Sequence, residues 1–270
     1  MKIAFLGGGN MASALIGGLL AKGFDARSIS VVEVSPAARE RLAAQHGVRA
    51  STAPDAAMAG ADTLVLAVKP QDMHSALKAI PGNLKEKLVI SIAAGVRLDA
   101  LSRWLGGHRK LVRCMPNTPA LIGAGISGLH ALPEVTPQER ARAETILGAV
   151  GEVVWLDDER LLDPVTAVSA SGPAYVFWFI EQLAASAEKL GIGKAVALKL
   201  ATHTVLGAAK LAAASKDSPA ELKKQVTSRG GTTEAALKVF DEEKLAERFA
   251  RAIEAASRRG GELGAELGKD

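Results

Sequence analysis

The chain has 270 residues, of which 48% are hydrophobic, enough for one large or two medium domains with a sizeable core. Its net charge of +4 comes from 33 basic residues interleaved with 29 acidic ones, and only 4% of the residues are aromatic, a composition that argues against nucleic-acid binding. The single cysteine, Cys114, excludes an intrachain disulfide, and neither it nor the five scattered histidines have the spacing of metal ligands, so no metal site is expected.

The first 160 residues alternate short apolar runs with helical patterns. Buried strands are predicted at 3–6, 29–34, 63–68, 88–92, 111–114 and 152–156. Helices are predicted between them at 11–22, 36–46, 71–80, 98–105 and 137–150. Such alternation predicts an α/β fold, with a mostly parallel Rossmann-type sheet covered by helices on both faces. We predict that this domain spans residues 1–160.

The pattern changes beyond residue 160, where no further strand-like run is expected. Helices are predicted at 173–190, 195–214, 219–226, 233–240 and 245–267, giving an all-helical domain over 161–270. The stretch Tyr175–Ile180 is apolar nearly all round, so the helix that contains it must be buried. A domain of this size cannot bury so much apolar surface alone, so we expect a subunit interface.

The N-terminal apolar run is too short for a signal peptide. No run of about 18 apolar residues was found that would span a bilayer. We therefore expect a cytoplasmic protein with no membrane partner.

A glycine-rich motif, Gly7-Gly8-Gly9-Asn10-Met11-Ala12, lies between the first predicted strand and the first predicted helix. Gly7 allows a tight turn, and Gly9 lets a pyrophosphate approach the backbone at the positive helix N-terminus. An acid, Glu33, follows at the end of the second strand. This context predicts dinucleotide binding rather than an ordinary glycine-rich turn.

The identity of the dinucleotide stays open at this point. Glu33 would bind the ribose hydroxyls of NAD and repel the extra phosphate of NADP. Ser35 and Arg39 follow closely, however, and could bind that phosphate.

Three further segments end predicted strands, namely Ala67–Gln71, Ile92–Gly95 and Met115–Pro119. Because parallel strands end on one edge of the sheet, where ligands bind, these segments predict a cleft. A fourth segment, Thr227–Thr233, places two glycines before hydroxyl residues at a helix start. This arrangement predicts an anion site, although simple N-capping would also explain it. The polar loop Ser169–Tyr175 is ambiguous between function and an ordinary capped helix start.

Together these motifs resemble the pyrroline-5-carboxylate reductase family over essentially the whole chain. They are LGGGNM at 6–11, LAVKPQ at 66–71, SIAAGV at 91–96, MPNTP at 115–119, SASGPAY at 169–175 and TSRGGTT at 227–233. The resemblance implies NADPH- or NADH-dependent reduction of 1-pyrroline-5-carboxylate to L-proline. It also implies an intertwined helical dimer, often assembled into a decamer.

The resemblance and the motif context assign two sets of site residues. The cofactor set is Leu6, Gly7, Gly8, Gly9, Asn10, Met11, Ser35, Ala67, Val68, Lys69, Pro70, Ala93, Ala94 and Asn117. The substrate set is Glu159, Ser228, Gly231, Thr232 and Thr233. Thr233 is the implied catalytic residue, with its hydroxyl near the ring nitrogen. Three positions depart from the usual family pattern: Pro54 replaces a ribose-contacting Asn, and Ala170 and Arg229 replace a common Gly and a common Pro or Lys.

Two alternatives remain at the level of the sequence. A β-hydroxyacid dehydrogenase would need an acid from the helical domain, and none of Lys189, Lys194, Lys199 and Lys210 lies in a glycine-rich loop. A non-catalytic nucleotide sensor could use the same fold. The second anion site predicted at Thr227–Thr233 favours an enzyme, because a sensor has no need of it.

Overall fold

A computed structural model describes residues 1–80, 84 and 86–269. The chain packs as two compact units. The first comprises Met1–Ser171 together with Ala256–Asp270, and the second is Gly172–Ala255. The domain boundary at residue 160 remains a prediction from the sequence.

The first unit is built on an eight-stranded sheet. Its strands are β1 (Ile3–Leu6), β2 (Ile29–Val32), β3 (Arg49–Ser51), β4 (Thr63–Leu66), β5 (Leu88–Ser91), β6 (Leu111–Met115), β7 (Gly125–Ala131) and β8 (Gly151–Trp155). The strand order is β3-β2-β1-β4-β5-β6-β7-β8. Neighbouring strands are parallel except β6 and β7. The mostly parallel sheet predicted from the sequence is thus confirmed.

Helices cover this sheet. They are α1 (Asn10–Ala21), α2 (Pro36–His46), α3 (Ala56–Ala59), α4 (Met73–Lys78), α5 (Leu98–Trp104), α6 (Pro137–Leu147) and α7 (Leu162–Val165). Two clusters of buried apolar side chains line the sheet, one containing Phe5 and Leu15 and the other Leu66 and Leu101. The helix α1 approaches the loop before β8 so closely that a Cβ at Gly18 would lie 2.5 Å from the Ala149 carbonyl oxygen. This contact fixes α1 and therefore the loop that leads into it.

The second unit is helical throughout. Its helices are α8 (Gly172–Lys189), α9 (Lys194–Ala214), α10 (Pro219–Gln225), α11 (Thr232–Glu242) and α12 (Leu245–Leu267), whose last turns from Ala256 belong to the first unit. The structure has no strand among the described residues beyond Trp155, as predicted.

Large apolar side chains are exposed along these helices. On α8 and α9 they include Val176, Phe177, Trp178, Phe179, Val196, Leu198, Leu200, Leu206 and Leu211. Among the described residues, α9 is the one helix that is long and apolar enough to cross a membrane, and little of it is buried. The expectation that no such run exists does not hold for this helix. Exposed apolar surface on this scale marks an interaction site.

Candidate active site

The glycine-rich loop joins β1 to α1. Gly7 has a φ of +101°, and a Cβ there would lie 2.7 Å from the Ala67 carbonyl carbon, so only glycine fits. Gly9 is the N-cap of α1 and receives no side-chain cap, and a Cβ added there would meet nothing within 4 Å. The N–H groups of the first turn therefore receive no hydrogen bond from an N-cap side chain at the positive end of a 12-residue helix, an arrangement that fits a pyrophosphate.

The strand ends predicted to line the cleft lie on one edge of the sheet. β2, β1, β4, β5 and β6 are consecutive and parallel, so their carboxyl ends share that edge. The backbone links them directly: the Gly7 N–H donates to the Val32 carbonyl oxygen at 2.8 Å, and the Ala67 N–H donates to the Leu6 carbonyl oxygen at 2.7 Å. The chain crosses to the other side of β1 between β3 and β4. Such a switch point is where open α/β sheets bind ligands.

The carboxyl edge of the sheet, with the segments Ala67–Gln71, Ile92–Gly95 and Met115–Pro119, is called the rim below. Asn117 has a structural role in this rim. Its Nδ2 donates to the Ser169 carbonyl oxygen at 3.1 Å, and its Oδ1 accepts from the Ile126 N–H at 2.9 Å. The side chain is 8% exposed and ties the loop after β6 to the π-helical turn Thr166–Ala170. Turns of this kind are frequent at functional sites. The cofactor contact predicted for Asn117 remains a prediction.

Glu159 belongs to an ion-pair network behind the rim. Its Oε1 accepts from the Leu98 N–H at 2.8 Å and lies 3.1 Å from NH1 of Arg113, a residue of β6 that is 2% exposed. The other arm of Arg113, NH2, lies 3.4 Å from Asp163 Oδ1, and Arg97 NH2 lies 3.6 Å from Asp163 Oδ2. Because Arg97 and Leu98 follow the segment Ile92–Gly95, the network anchors that part of the predicted cofactor rim.

Arg113→Met should strongly destabilise the first unit. The substitution leaves the Glu159 and Asp163 carboxylates without their buried partner, at a cost of about 3–5 kcal/mol in the free energy of unfolding. Chemical unfolding monitored by circular dichroism measures the change.

The matched control is Arg109→Met. Arg109 pairs with Glu134 at 2.9 Å, but both side chains are about half exposed, and such surface pairs contribute little to the free energy of unfolding. Equal stability losses in the two variants would contradict the structural role assigned to the Arg113 network.

The predicted substrate loop lies in the second unit, between α10 and α11. The Gly231 N–H donates to the Ser228 carbonyl oxygen at 3.0 Å, and a side chain at Gly231 would collide with the Ser228 hydroxyl. Gly231 is the N-cap of α11 and receives no side-chain cap, so Thr232 and Thr233 begin that helix with their N–H groups available. The Gly230 N–H instead donates to Glu234 Oε2 at 2.7 Å.

A groove of about 610 Å³ runs beside this loop, lined by Thr227, Gly230, Gly231 and residues of α11. Thr232 is exposed and Thr233 half-buried. The simple capping role considered for the two threonines is thus not what the structure shows, since no side chain caps α11. The N-terminus of α11 is suited to a small anion, whereas the groove wall along that helix carries three carboxylates, Glu234, Asp241 and Glu242, and one cation, Lys238.

Two other kinds of site, a reactive thiol and a metal centre, find little support among the described residues. Burial raises the pKa of the Cys114 thiol far above its usual range, which keeps the thiol neutral and unreactive. No group of three or more His, Cys, Asp or Glu side chains in the described part of the chain could hold a metal ion.

Comparison with known proteins assigns the chain to a family. Residues 159–263 match the model described as pyrroline-5-carboxylate reductase dimerisation, and residues 2–95 match the model described as NADP oxidoreductase, coenzyme F420-dependent. A pyrroline-5-carboxylate reductase of Pseudomonas aeruginosa is 45% identical over 269 residues, covering 99% of this chain and 98% of that one. The chain belongs to the pyrroline-5-carboxylate reductase family.

Solved structures of the same family share the fold over nearly the whole chain. The pyrroline-5-carboxylate reductase of Coxiella burnetii is 40% identical, with a TM-score of 0.90, over 97% of this chain and 98% of that one. The Plasmodium falciparum enzyme, solved with NADP bound, is 28% identical with a TM-score of 0.85, over 98% of each chain. The family resemblance read from the motifs is confirmed.

The sequence does not predict the network around Glu159. Its pattern places Arg113 in a strand and gives Asp163 no distinguishing feature. One signal was present in the sequence, because an arginine in the middle of a buried strand needs carboxylate partners. Nothing in the sequence showed that those partners come from residues 159–163.

Proposed function

We propose that this protein is a pyrroline-5-carboxylate reductase, an NAD(P)H-dependent oxidoreductase that converts 1-pyrroline-5-carboxylate to L-proline, the last step of proline biosynthesis. The observation that carries the proposal is a glycine-rich loop before each of two helices, Gly7–Gly9 before α1 and Gly230-Gly231 before α11, with a glycine at each N-cap, in a chain of this family. The first suits the pyrophosphate of a dinucleotide, and the second suits the carboxylate of a small substrate.

When bound, NAD(P)H supplies the hydride that reduces the C=N bond. The chain's own residues bind and orient the reactants. Leu6 to Met11 hold the pyrophosphate, Ala67–Pro70 and Ala93-Ala94 line the cleft, and Ser35 and Asn117 complete the predicted cofactor set. Orientation alone can lower a barrier by about 7–11 kcal/mol, and an iminium carbon is already electrophilic. The reaction therefore needs no strong general acid from the protein.

The substrate carboxylate binds the N–H groups at the start of α11, where Gly231, Thr232 and Thr233 lie next to Ser228. Thr233 places its hydroxyl near the ring nitrogen and is the one side chain we assign a catalytic role. The family resemblance implies that Glu159 contacts the substrate. Its Oε1 already accepts hydrogen bonds from the Leu98 N–H and from Arg113 NH1, so a direct contact with the substrate would use Oε2.

Thr233→Ala should lower kcat/KM for pyrroline-5-carboxylate by about tenfold to a hundredfold. The variant keeps the backbone N–H groups and loses one hydrogen bond, worth roughly 1–3 kcal/mol, at 1.36 kcal/mol per factor of ten. Thr232→Ala is the matched control and should be nearly silent, because the exposed Thr232 contributes mainly its backbone. Steady-state kinetics of both variants provide the comparison. Full activity of Thr233→Ala would remove its hydroxyl from the mechanism.

We infer that the helical unit forms the contact between subunits, and the match of residues 159–263 to a model described as pyrroline-5-carboxylate reductase dimerisation supports this. We infer a homodimer at least, in which the exposed apolar side chains of α8 and α9 are buried, and a decamer as its further assembly. In this account α9 is an interface helix and not a membrane span, and the enzyme is cytoplasmic with no nucleic-acid partner.

A substrate panel tests the proposed activity. The purified protein should oxidise NADH or NADPH with pyrroline-5-carboxylate, and should not reduce NAD or NADP with 3-hydroxy acids. Turnover of 3-hydroxy acids alone would favour the hydroxyacid dehydrogenase, and cofactor binding without any turnover would favour the sensor.

A further inference from the structure

The carboxylate of Glu33 is fixed beside the glycine-rich loop. Glu33 follows β2, next to β1 in the sheet. Its Oε2 accepts from the Gly8 N–H at 2.7 Å, and its Oε1 accepts from the Ser35 N–H at 2.8 Å. A Cβ at Gly8 would lie 3.2 Å from the Cβ of Glu33, so the acid packs directly against the loop. Two backbone donors therefore hold the negative charge in one place.

The nearby groups that could favour a phosphate already have backbone partners in the structure. Arg39 NH1 donates to the carbonyl oxygens of Glu33 and Val34, both at 2.8 Å, which anchors the guanidinium to the backbone. The Ser35 hydroxyl accepts from the Ala38 N–H at 3.4 Å and caps α2. Val34 follows Glu33 directly, is 81% exposed and brings no charge. Arg41 NH2 lies 3.4 Å from the Gly8 carbonyl oxygen.

A dinucleotide whose pyrophosphate lies at the N-terminus of α1 places its adenosine ribose at the end of β2. There the two ribose hydroxyls of NADH can donate to a fixed carboxylate. The 2′-phosphate of NADPH would bring a second negative charge against it, and juxtaposed like charges are costly. We propose that Glu33 makes this chain prefer NADH over NADPH.

Direct titration tests the preference without catalysis. The nicotinamide fluorescence of NADH and of NADPH is followed as each is titrated with wild-type protein and with Glu33→Gln. We expect wild-type protein to bind NADH at least about tenfold more tightly than NADPH. Glu33→Gln keeps an amide oxygen near the loop but loses the charge, so the two dissociation constants should converge, mainly through tighter NADPH binding. Adding Val34→Arg should invert the preference, because it supplies a cation for the phosphate.

Glu40→Gln is the matched control, because it removes the same charge from an exposed position on α2. Its ratio of dissociation constants should equal that of the wild type. Two results would overturn the proposal. One is wild-type protein that binds NADPH as tightly as NADH. The other is Arg39→Gln that weakens NADPH binding alone, since this would assign the phosphate to Arg39.

The kinetic preference, taken as the ratio of kcat/KM for the two cofactors with pyrroline-5-carboxylate, rests on the proposed function, whereas the binding measurement does not. A protein that discriminates between the cofactors in binding but leaves pyrroline-5-carboxylate unreduced would contradict the proposed function and support the role of Glu33. A protein that reduces the imine equally well with both cofactors would support the proposed function and contradict the role of Glu33.

Discussion

Gly9→Asp should abolish NAD(P)H binding while leaving the fold intact. A Cβ at Gly9 meets no atom within 4 Å, and an N-cap aspartate suits a helix, so the substitution brings no steric or conformational penalty to the free protein. It does place a carboxylate where the N–H groups of α1 should receive the pyrophosphate. Fluorescence titration with NADH should show a loss of affinity of at least about a hundredfold, given that like charges juxtaposed in a site cost several kcal/mol.

Gly193→Asp is the control for this experiment. Gly193 is the N-cap of α9 and, having no side chain, provides no capping hydrogen bond. Like Gly9, it leaves open space for a Cβ. The same substitution therefore adds the same charge at the start of another helix, and cofactor affinity should not change. If Gly9→Asp bound NADH as the wild type does, the glycine-rich loop would not be the pyrophosphate site.

Leu206→Asp should dissociate the dimer and remove most of the activity. Leu206 lies on α9 and is 46% exposed within one chain, in a region that we expect the partner subunit to cover. A carboxylate buried there without a partner costs several kcal/mol. Light scattering at micromolar concentration should report a monomer, and kcat/KM should fall in parallel, because we propose that each site uses residues of both subunits.

Val154→Asp tests whether the position or merely the charge matters. Val154 is also 46% exposed, but it lies on β8 of the first unit. This variant should remain at least dimeric and active. A Leu206→Asp protein that stays dimeric would contradict the assignment of α9 to the interface, and an active monomer would contradict a site shared between subunits.

Most of the architecture could be predicted from the sequence because its elements obey local rules. Continuous apolar runs such as Thr63–Leu66 are typical of strands buried on both faces of a parallel sheet. The elements that were missed lack that signal. β3 is three residues long with an exposed first residue, and α3 has only four residues. β7, Gly125–Ala131, contains two glycines and pairs antiparallel with β6, so neither its composition nor its direction follows from the alternating pattern.

The candidate site also has features that the sequence predicts and features that it does not. The glycine-rich loop and the loop before α11 were found from sequence because their chemistry depends on backbone conformation, which glycine spacing reveals. The bonds of Glu33 to Gly8 and Ser35 could not be found in this way. They depend on how the end of β2 turns toward the loop after β1, and the sequence left Glu33, Ser35 and Arg39 as open alternatives. The pairing of Arg113 with Glu159 and Asp163 likewise joins residues about 50 positions apart.

In the proposed reaction, hydride passes from the nicotinamide to the imine carbon of pyrroline-5-carboxylate at a site in this chain. The test uses a cofactor deuterated at the transferring C4 position, which is incubated with the protein and pyrroline-5-carboxylate, and the product is analysed by mass spectrometry. We predict L-proline carrying one deuterium at C5, the former imine carbon, formed in a one-to-one ratio with the oxidised cofactor. Cofactor oxidation without proline, or proline without deuterium at C5, would contradict the proposed reaction.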